Sequence, residues 1–114
     1  MKTYLKVFKA LSDGSRLRIY KMLEAEDLCV CEITEVLGLA VSTVSAHLKV
    51  LKEAGLVEEY KDGKWVNYRI SKMQDTFGSR LQQLLIILQD EVFSADLKTA
   101  AGSDRNIICN ISGK

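Results

Sequence analysis

Proline is absent from the 114 residues, histidine and tryptophan occur once each, and cysteine occurs three times. Without proline nothing in the chain obliges a helix to break, and apolar residues recurring at three- and four-residue intervals read as mostly helical structure. One histidine, no nucleophile elbow and no glycine-rich phosphate loop leave no catalytic constellation, so an enzyme is not expected. Three cysteines, two of them one residue apart, do not make a disulfide framework, which needs an even count and wider spacing. A reducing cytoplasm suits that usage. No apolar run approaches the ~18 residues of a membrane span, and the start, Met1-Lys2-Thr3-Tyr4-Leu5-Lys6-Val7-Phe8-Lys9, interrupts its apolar positions with lysines, unlike a signal peptide or an anchor. No membrane partner is expected.

Charge of one sign is also lacking. Lys and Arg total 16 against 15 Asp and Glu, with a formal net charge of +1 and a mean hydropathy of +0.01. This excludes a polybasic tail, an acidic disordered segment and a collagen-like chain. Any surface for nucleic acid must therefore be local. What the chain does have is 47% hydrophobic residues, enough for one small domain and an apolar excess that a partner would cover.

Tyr4, Leu5, Phe8 and Leu11 form a first apolar stripe, ended by Ser12-Asp13-Gly14-Ser15, a turn and a cap. A second helix is expected from about Arg16 to Glu24, with Leu17, Ile19, Tyr20 and Leu23 apolar. Cys29 to Leu37 reads as a short helix stopped by Gly38, and a further helix with Val44, Leu48, Val50 and Leu51 inward stops at Gly55. Two short helices joined by a few residues around a glycine are a helix-turn-helix signature. From Leu56 to Ile70 the period changes to two around Asp62-Gly63, a hairpin signal. Phe77, Leu81, Leu84, Leu85, Leu88 and Val92 then predict one terminal helix of about twenty residues. Residues 1–101 are thus expected to form the folded domain and 102–114 a flexible, polar tail containing Ile107-Ile108-Cys109.

This order is that of a mainly α winged helix-turn-helix domain with a β-hairpin wing, dimerised through terminal helices. Charge follows the same division: residues 1–41 sum to zero, 42–72 to +2, 73–101 to −2 and 102–114 to +1. The positive segment comprises the second helix of the pair and the hairpin, where phosphates would lie. Singly, Lys49, Lys52, Lys61 and Lys64 read as a solvated face; the helix-turn-helix order favours DNA for the set. His47 reads as a groove or helix-packing residue rather than a metal ligand, and Trp65 and Tyr68 as hairpin packing.

Three collinear stretches, Ala10-Leu11-Ser12-Asp13-Gly14-Ser15-Arg16-Leu17-Arg18-Ile19, Val44 through Val57 (VSAHLKVLKEAGLV) and Asp62-Gly63-Lys64-Trp65-Val66-Asn67-Tyr68-Arg69, resemble the ArsR/SmtB family of metalloregulatory repressors over about residues 3–98. The resemblance implies a homodimer that blocks a promoter until a metal or metalloid releases it. It places Ser42, Thr43, Ser45 and Ala46 in the major groove, with His47 and Lys49 further along, and Lys61, Lys64 and Arg69 of the wing on backbone or minor groove. The Ser-Gln pair frequent in the family is replaced by Ala40-Val41, so the operator sequence is not read from the residues. The terminal stripe Leu81, Leu84, Leu85 and Leu88, with Leu5 and Phe8 of the first helix, is the expected dimer interface.

Alone, Cys29-Val30-Cys31 is a weak signal, because a buried cysteine behaves as a small hydrophobe. At the start of the first helix of the pair, Leu28-Cys29-Val30-Cys31-Glu32 resembles the arsenic-, antimony- and cadmium-responsive branch, which implies sensor ligands. Residues i and i+2 of a helix point to nearly opposite sides, so two thiolates there are expected to clasp one ion only if the turn unwinds. A helix N-terminus favours thiolate, and soft thiolates select thiophilic ions. A well-known arsenical-repressor pattern has a third cysteine where Thr34 stands. Cys109 is the remaining sulfur, within reach of an extended chain of about 25 Å from Gly102, and is either a third ligand from its own or the partner subunit or an incidental tail residue. The Asp/His zinc set of the terminal helix is not matched, since Asp90, Glu91 and Asp96 have no histidine among them.

The resulting expectation is a repressor of double-stranded operator DNA, with As(III) or Sb(III) as inducer and no obligatory cofactor. The alternatives are the same fold sensing Cd(II), Pb(II) or thiol oxidation, and, in another class, a helical protein-interaction module without a DNA target.

Overall fold

The computed structural model describes residues 1–102. Helix α1 (Lys2–Leu11) packs on α2 (Gly14–Ala25), whose start is capped by Asp13: its carboxylate accepts the Arg16 N–H at 3.1 Å. The turn and cap read at Ser12 to Ser15 are present. Val7 and Ala10 are the residues that α1 buries, whereas Tyr4, Leu5 and Phe8 of the apolar stripe are exposed. The three large side chains outline a surface stripe, with Tyr4 and Phe8 edge-on to Phe77.

A two-residue strand, β1 (Leu28–Cys29), leads directly into α3 (Val30–Leu37). Gly38 ends α3 with φ +68°, a backbone state that glycine reaches without a Cβ clash. Helix α4 (Val41–Glu53) follows after a turn of 112° between the two axes, within the range of helix-turn-helix pairs. Val44, Leu48 and Leu51 are buried as the spacing predicts; Val50, expected inward, is exposed. Strands β2 (Val57–Asp62) and β3 (Trp65–Ile70) pair antiparallel from Val57↔Ile70 to Asp62↔Trp65. The loop is therefore Gly63-Lys64, with Gly63 at φ +63° in the first loop position that a type II′ turn reserves for glycine. Because β1 pairs with the other side of β3, through Leu28↔Tyr68 and Cys29↔Asn67, the sheet order is β1-β3-β2.

The single terminal helix is replaced by two, α5 (Thr76–Ile86) and α6 (Glu91–Ala101). Two polar side chains account for the break. The buried Lys21 ammonium donates to the carbonyl of Leu85 at 2.7 Å, satisfying a C-terminal acceptor of α5. Asp90 then caps α6 by accepting the Val92 N–H at 2.9 Å. Helix α6 folds back over α2 and α3, held by a two-bond contact in which Arg18 donates to Asp96 at 2.8 and 2.9 Å. Asp96 is only 4% exposed.

Within the expected interface the break sorts the leucines. Leu85 is 6% exposed and belongs to the chain's own core with Tyr20, Met22 and Leu48, and Leu81 packs partly buried against that core. Leu84, Ile86, Ile87 and Leu88 remain exposed, as do Leu5 and Phe8 of α1. Of the expected partner-facing set, Leu85 belongs to the core, and Ile86 and Ile87 are further exposed apolar residues at the end of α5. No single helix among the described residues is long and apolar enough to cross a membrane.

Candidate nucleic-acid interface and cysteine site

Ser42, Thr43, Ser45, Ala46 and Lys49 are all exposed on α4, opposite the buried Val44, Leu48 and Leu51. Helical spacing thus presents short hydroxyls and one lysine on a face that the core leaves bare. His47 is half-buried, and its Nδ1 lies 3.3 Å from Nη1 of Arg16. Lys61 and Lys64 are exposed near and at the tip of the wing, Lys64 lying 4.8 Å from the centre of the Trp65 ring. Arg69, expected on DNA, is engaged elsewhere: it donates to Glu58 at 3.0 Å and stacks 4.5 Å over Tyr60 near the base of the hairpin. Lys52 pairs with Glu59, whose second oxygen accepts the Tyr68 hydroxyl at 3.0 Å. Those bonds hold the Glu59 carboxyl below the usual carboxylate range, the lysine contributing most.

The cysteine pair lies at the junction of strand and helix. Cys29 ends β1 and is the N-cap of α3, with extended backbone, while Cys31 is the second helical residue. Their side chains, 3% and 5% exposed, form a small buried cluster against which Trp65 packs. Antiparallel pairing explains the company. Residues directly opposite in such a ladder project to one face, so Cys29 shares a face with Asn67 and, two residues along β3, with Trp65. The expectation that the two sulfurs diverge from one helix is corrected here: Cys29 lies outside the helical turn, and its direction is set by the sheet.

Cys29 takes the place that serine or threonine usually holds in a capping box. Its N–H donates to Oε1 of Glu32 at 3.0 Å, and its sulfur faces the Glu32 N–H in return. Thiolate at that position gains from the partial positive charge of the helix start. Cys31 is in a disulfide, so ligation by its sulfur requires reduction. Cys109 lies outside the described residues. Thr34, at the position of the third cysteine in the arsenical-repressor pattern, has its hydroxyl buried with no hydrogen-bond partner. Among the described residues no cluster of three or more His, Cys, Asp or Glu groups is placed to hold an ion. Asp90 and Asp96 serve as a helix cap and as the partner of Arg18.

Sequence reasoning missed Arg16, Asn67 and β1. Arg16 has no signal of its own beyond lying two residues inside a helix start, and a two-residue strand is too short for any periodicity.

Residues 5–59 match the family model described as "Bacterial regulatory protein, arsR family". The chain is 41% identical over 88 residues to the cadmium resistance transcriptional regulatory protein CadC of Listeria innocua, covering 76% of this chain and 71% of that protein. It is 43% identical over 68 residues to the arsenical resistance operon repressor of Escherichia coli, covering 59% of this chain and 58% of that one. Among solved structures, the homodimeric winged helix-turn-helix DNA-binding domain Mb0332 of Mycobacterium bovis superposes with a TM-score of 0.64 at 34% identity, over 75% of this chain and 77% of that chain.

Proposed function

This chain belongs to the arsR family of bacterial regulatory proteins, and from that premise we propose that it is a homodimeric repressor whose α4 and wing hold operator DNA and which As(III) or Sb(III) releases through Cys29 and Cys31. The observation that carries the reading is the position of Cys29 as cap of α3, the helix packed against α4. An ion drawn to the Cys29 thiolate competes with the Glu32 N–H for the same sulfur. Losing that contact loosens the first turn of α3, and the helix it orients is the one that meets DNA. Thiolates suit soft ions over magnesium or calcium. With Cys29 outside the helix, the motion this reading calls for is recapping of α3 rather than wholesale unwinding.

DNA is held in this reading by Ser42, Thr43, Ser45, Ala46, His47 and Lys49 at the groove and by Lys61 and Lys64 on phosphate. Leu5, Phe8, Leu84 and Leu88, with Ile86 and Ile87, cover one another across the two-fold axis.

The test is titration of the operator-bound, reduced dimer with arsenite, antimonite, cadmium, lead and zinc while DNA release is followed. Coupling between such sites is typically about 1–3 kcal/mol, or roughly 5- to 150-fold weaker DNA binding. Cys29→Ser and Cys31→Ser are expected to bind operator normally and to ignore arsenite. Release of DNA by arsenite from the double variant would overturn the mechanism. Cys109→Ser separates a three-sulfur site, which loses the response, from two protein thiolates completed by an exogenous ligand, which keeps it.

A second reading keeps the site and changes the signal. The 41% identity to a cadmium resistance regulator favours a soft divalent ion, and thiol oxidation is the other signal that a pair of cysteines can read. Release by cadmium or by oxidant, with arsenite inert, selects between them.

A further inference from the structure

Arg16, the third residue of α2, reaches from the start of that helix to two others. Its Nε donates to the carbonyl of Ala10 at 2.8 Å and its Nη2 to that of Lys9 at 3.2 Å. Both carbonyls belong to the last turn of α1; that of Lys9 also accepts the Ser12 N–H and hydroxyl. The third nitrogen, Nη1, faces Nδ1 of His47 at 3.3 Å, with Oδ2 of Asp13 at 3.9 Å on the same nitrogen. The guanidinium is therefore fixed by α1 and α2 together, and it is the fixed partner against which an α4 side chain is set.

A guanidinium carries five N–H donors and no acceptor, and it stays protonated. The imidazole nitrogen opposite it must present a lone pair. We propose that Arg16 is a positioning residue for DNA reading: it holds His47 as the Nε2–H tautomer, so that the ring offers a single hydrogen-bond donor to an acceptor on the major-groove edge of a base. This rests on the reading of α4 as the helix that meets DNA. The acceptors of that edge are guanine O6 and N7, adenine N7 and thymine O4. An imidazole released from Arg16 exchanges tautomers and rotates, so it meets the donor edges of adenine and cytosine as readily. Discrimination at that base pair is then lost, although the rest of α4 is unchanged.

His47 is the only histidine of the 114 residues, so the imidazole nitrogens of the full chain give one nuclear magnetic resonance pattern that needs no assignment. At a pH where the ring is neutral, two-bond proton–nitrogen correlations are expected to show the Nε2–H tautomer alone. Arg16→Glu puts an acceptor opposite Nδ1 and is expected to shift the ring to Nδ1–H, while Arg16→Met yields a mixture. On DNA, the ratio of operator to random-sequence affinity is expected to fall about tenfold in His47→Ala and in Arg16→Met, and no further in the double variant, because one residue acts through the other. A wild-type ring carrying its proton on Nδ1 overturns the proposal, as do losses that multiply in the double variant. Equal loss of operator and random-sequence affinity in His47→Ala places the contact on phosphate and overturns base reading. If the Arg16 variants fail to fold, the wild-type tautomer and the His47→Ala ratio still decide. A chain that binds no DNA while keeping the Nε2–H ring would sink the reading of α4 and leave the Arg16–His47 geometry standing.

Discussion

Trp65 is the sole tryptophan of the chain, and it packs against the two buried cysteines. Its emission therefore reports on the site without any label. Adding arsenite to the reduced protein is expected to change the intensity or wavelength of that emission, saturating at the concentration that releases DNA. The change is expected to vanish in Cys29→Ser/Cys31→Ser; an unaltered spectrum during DNA release would place the inducer elsewhere. Serine is the right replacement at Cys29, because its hydroxyl can still accept the Glu32 N–H, whereas Cys29→Ala also removes the cap and costs about 1 kcal/mol. At this scale the sequence was legible in residue type and obscure in direction. The Cys-x-Cys spacing and the acidic residue after it mark the place of the proposed site in the sequence. Cys29 nevertheless points where β3 dictates, and partners as distant in sequence as Asn67 and Trp65 leave no local trace.

The elements were more legible than their faces. Gly38, Gly55 and Asp62-Gly63 marked two helix ends and the hairpin, because each is a backbone requirement that a residue type satisfies by itself. The apolar residues of α1 and α5 could not be divided by spacing between the chain's own core and a partner, since both demand the same side chains. Burial divides them. Leu85→Ala is expected to destabilise the fold by about 2–5 kcal/mol, as a core truncation does, whereas Leu84→Glu is expected to leave the fold intact and give monomers in sedimentation. A dimeric Leu84→Glu would remove this face from the interface. The hairpin separates its cations in the same way. Lys64→Ala is expected to make the dependence of log affinity on log salt shallower by about one unit, and Arg69→Ala, whose charge already faces Glu58, is expected to leave that slope unchanged. An unchanged slope in Lys64→Ala would take the wing off phosphate.

Across the whole molecule, two tyrosines set an alkaline limit. Burial pushes Tyr20 up to about 12, and burial followed by the Glu59 contact pushes Tyr68 to about 12, from an ordinary value of 10.0. Both phenols are neutral in the folded chain where an unfolded chain would ionise them. Their contribution is present in full below pH 10 and is lost as pH rises from there toward 12. The urea midpoint is therefore expected to be lower at pH about 11 than at about 8, and less so in Tyr20→Phe. A flat profile would mean that neither ring is shielded in solution. The break between α5 and α6 belongs to this scale as well. A continuous stripe from Phe77 to Val92 read as one helix because periodicity does not register a buried lysine on another helix taking the Leu85 carbonyl.

Strand β1 is two residues long, yet it turns a two-stranded ribbon into a three-stranded sheet. A lone ribbon is marginal in water, so the wing persists partly because Leu28 and Cys29 lie along β3. In the proposed mechanism an inducer that takes Cys29 also removes an end of that support, shortening the lifetime of the wing's bound conformation. Induction would then act on repressor already seated on DNA by raising its rate of departure, instead of waiting for spontaneous dissociation and capturing what comes off.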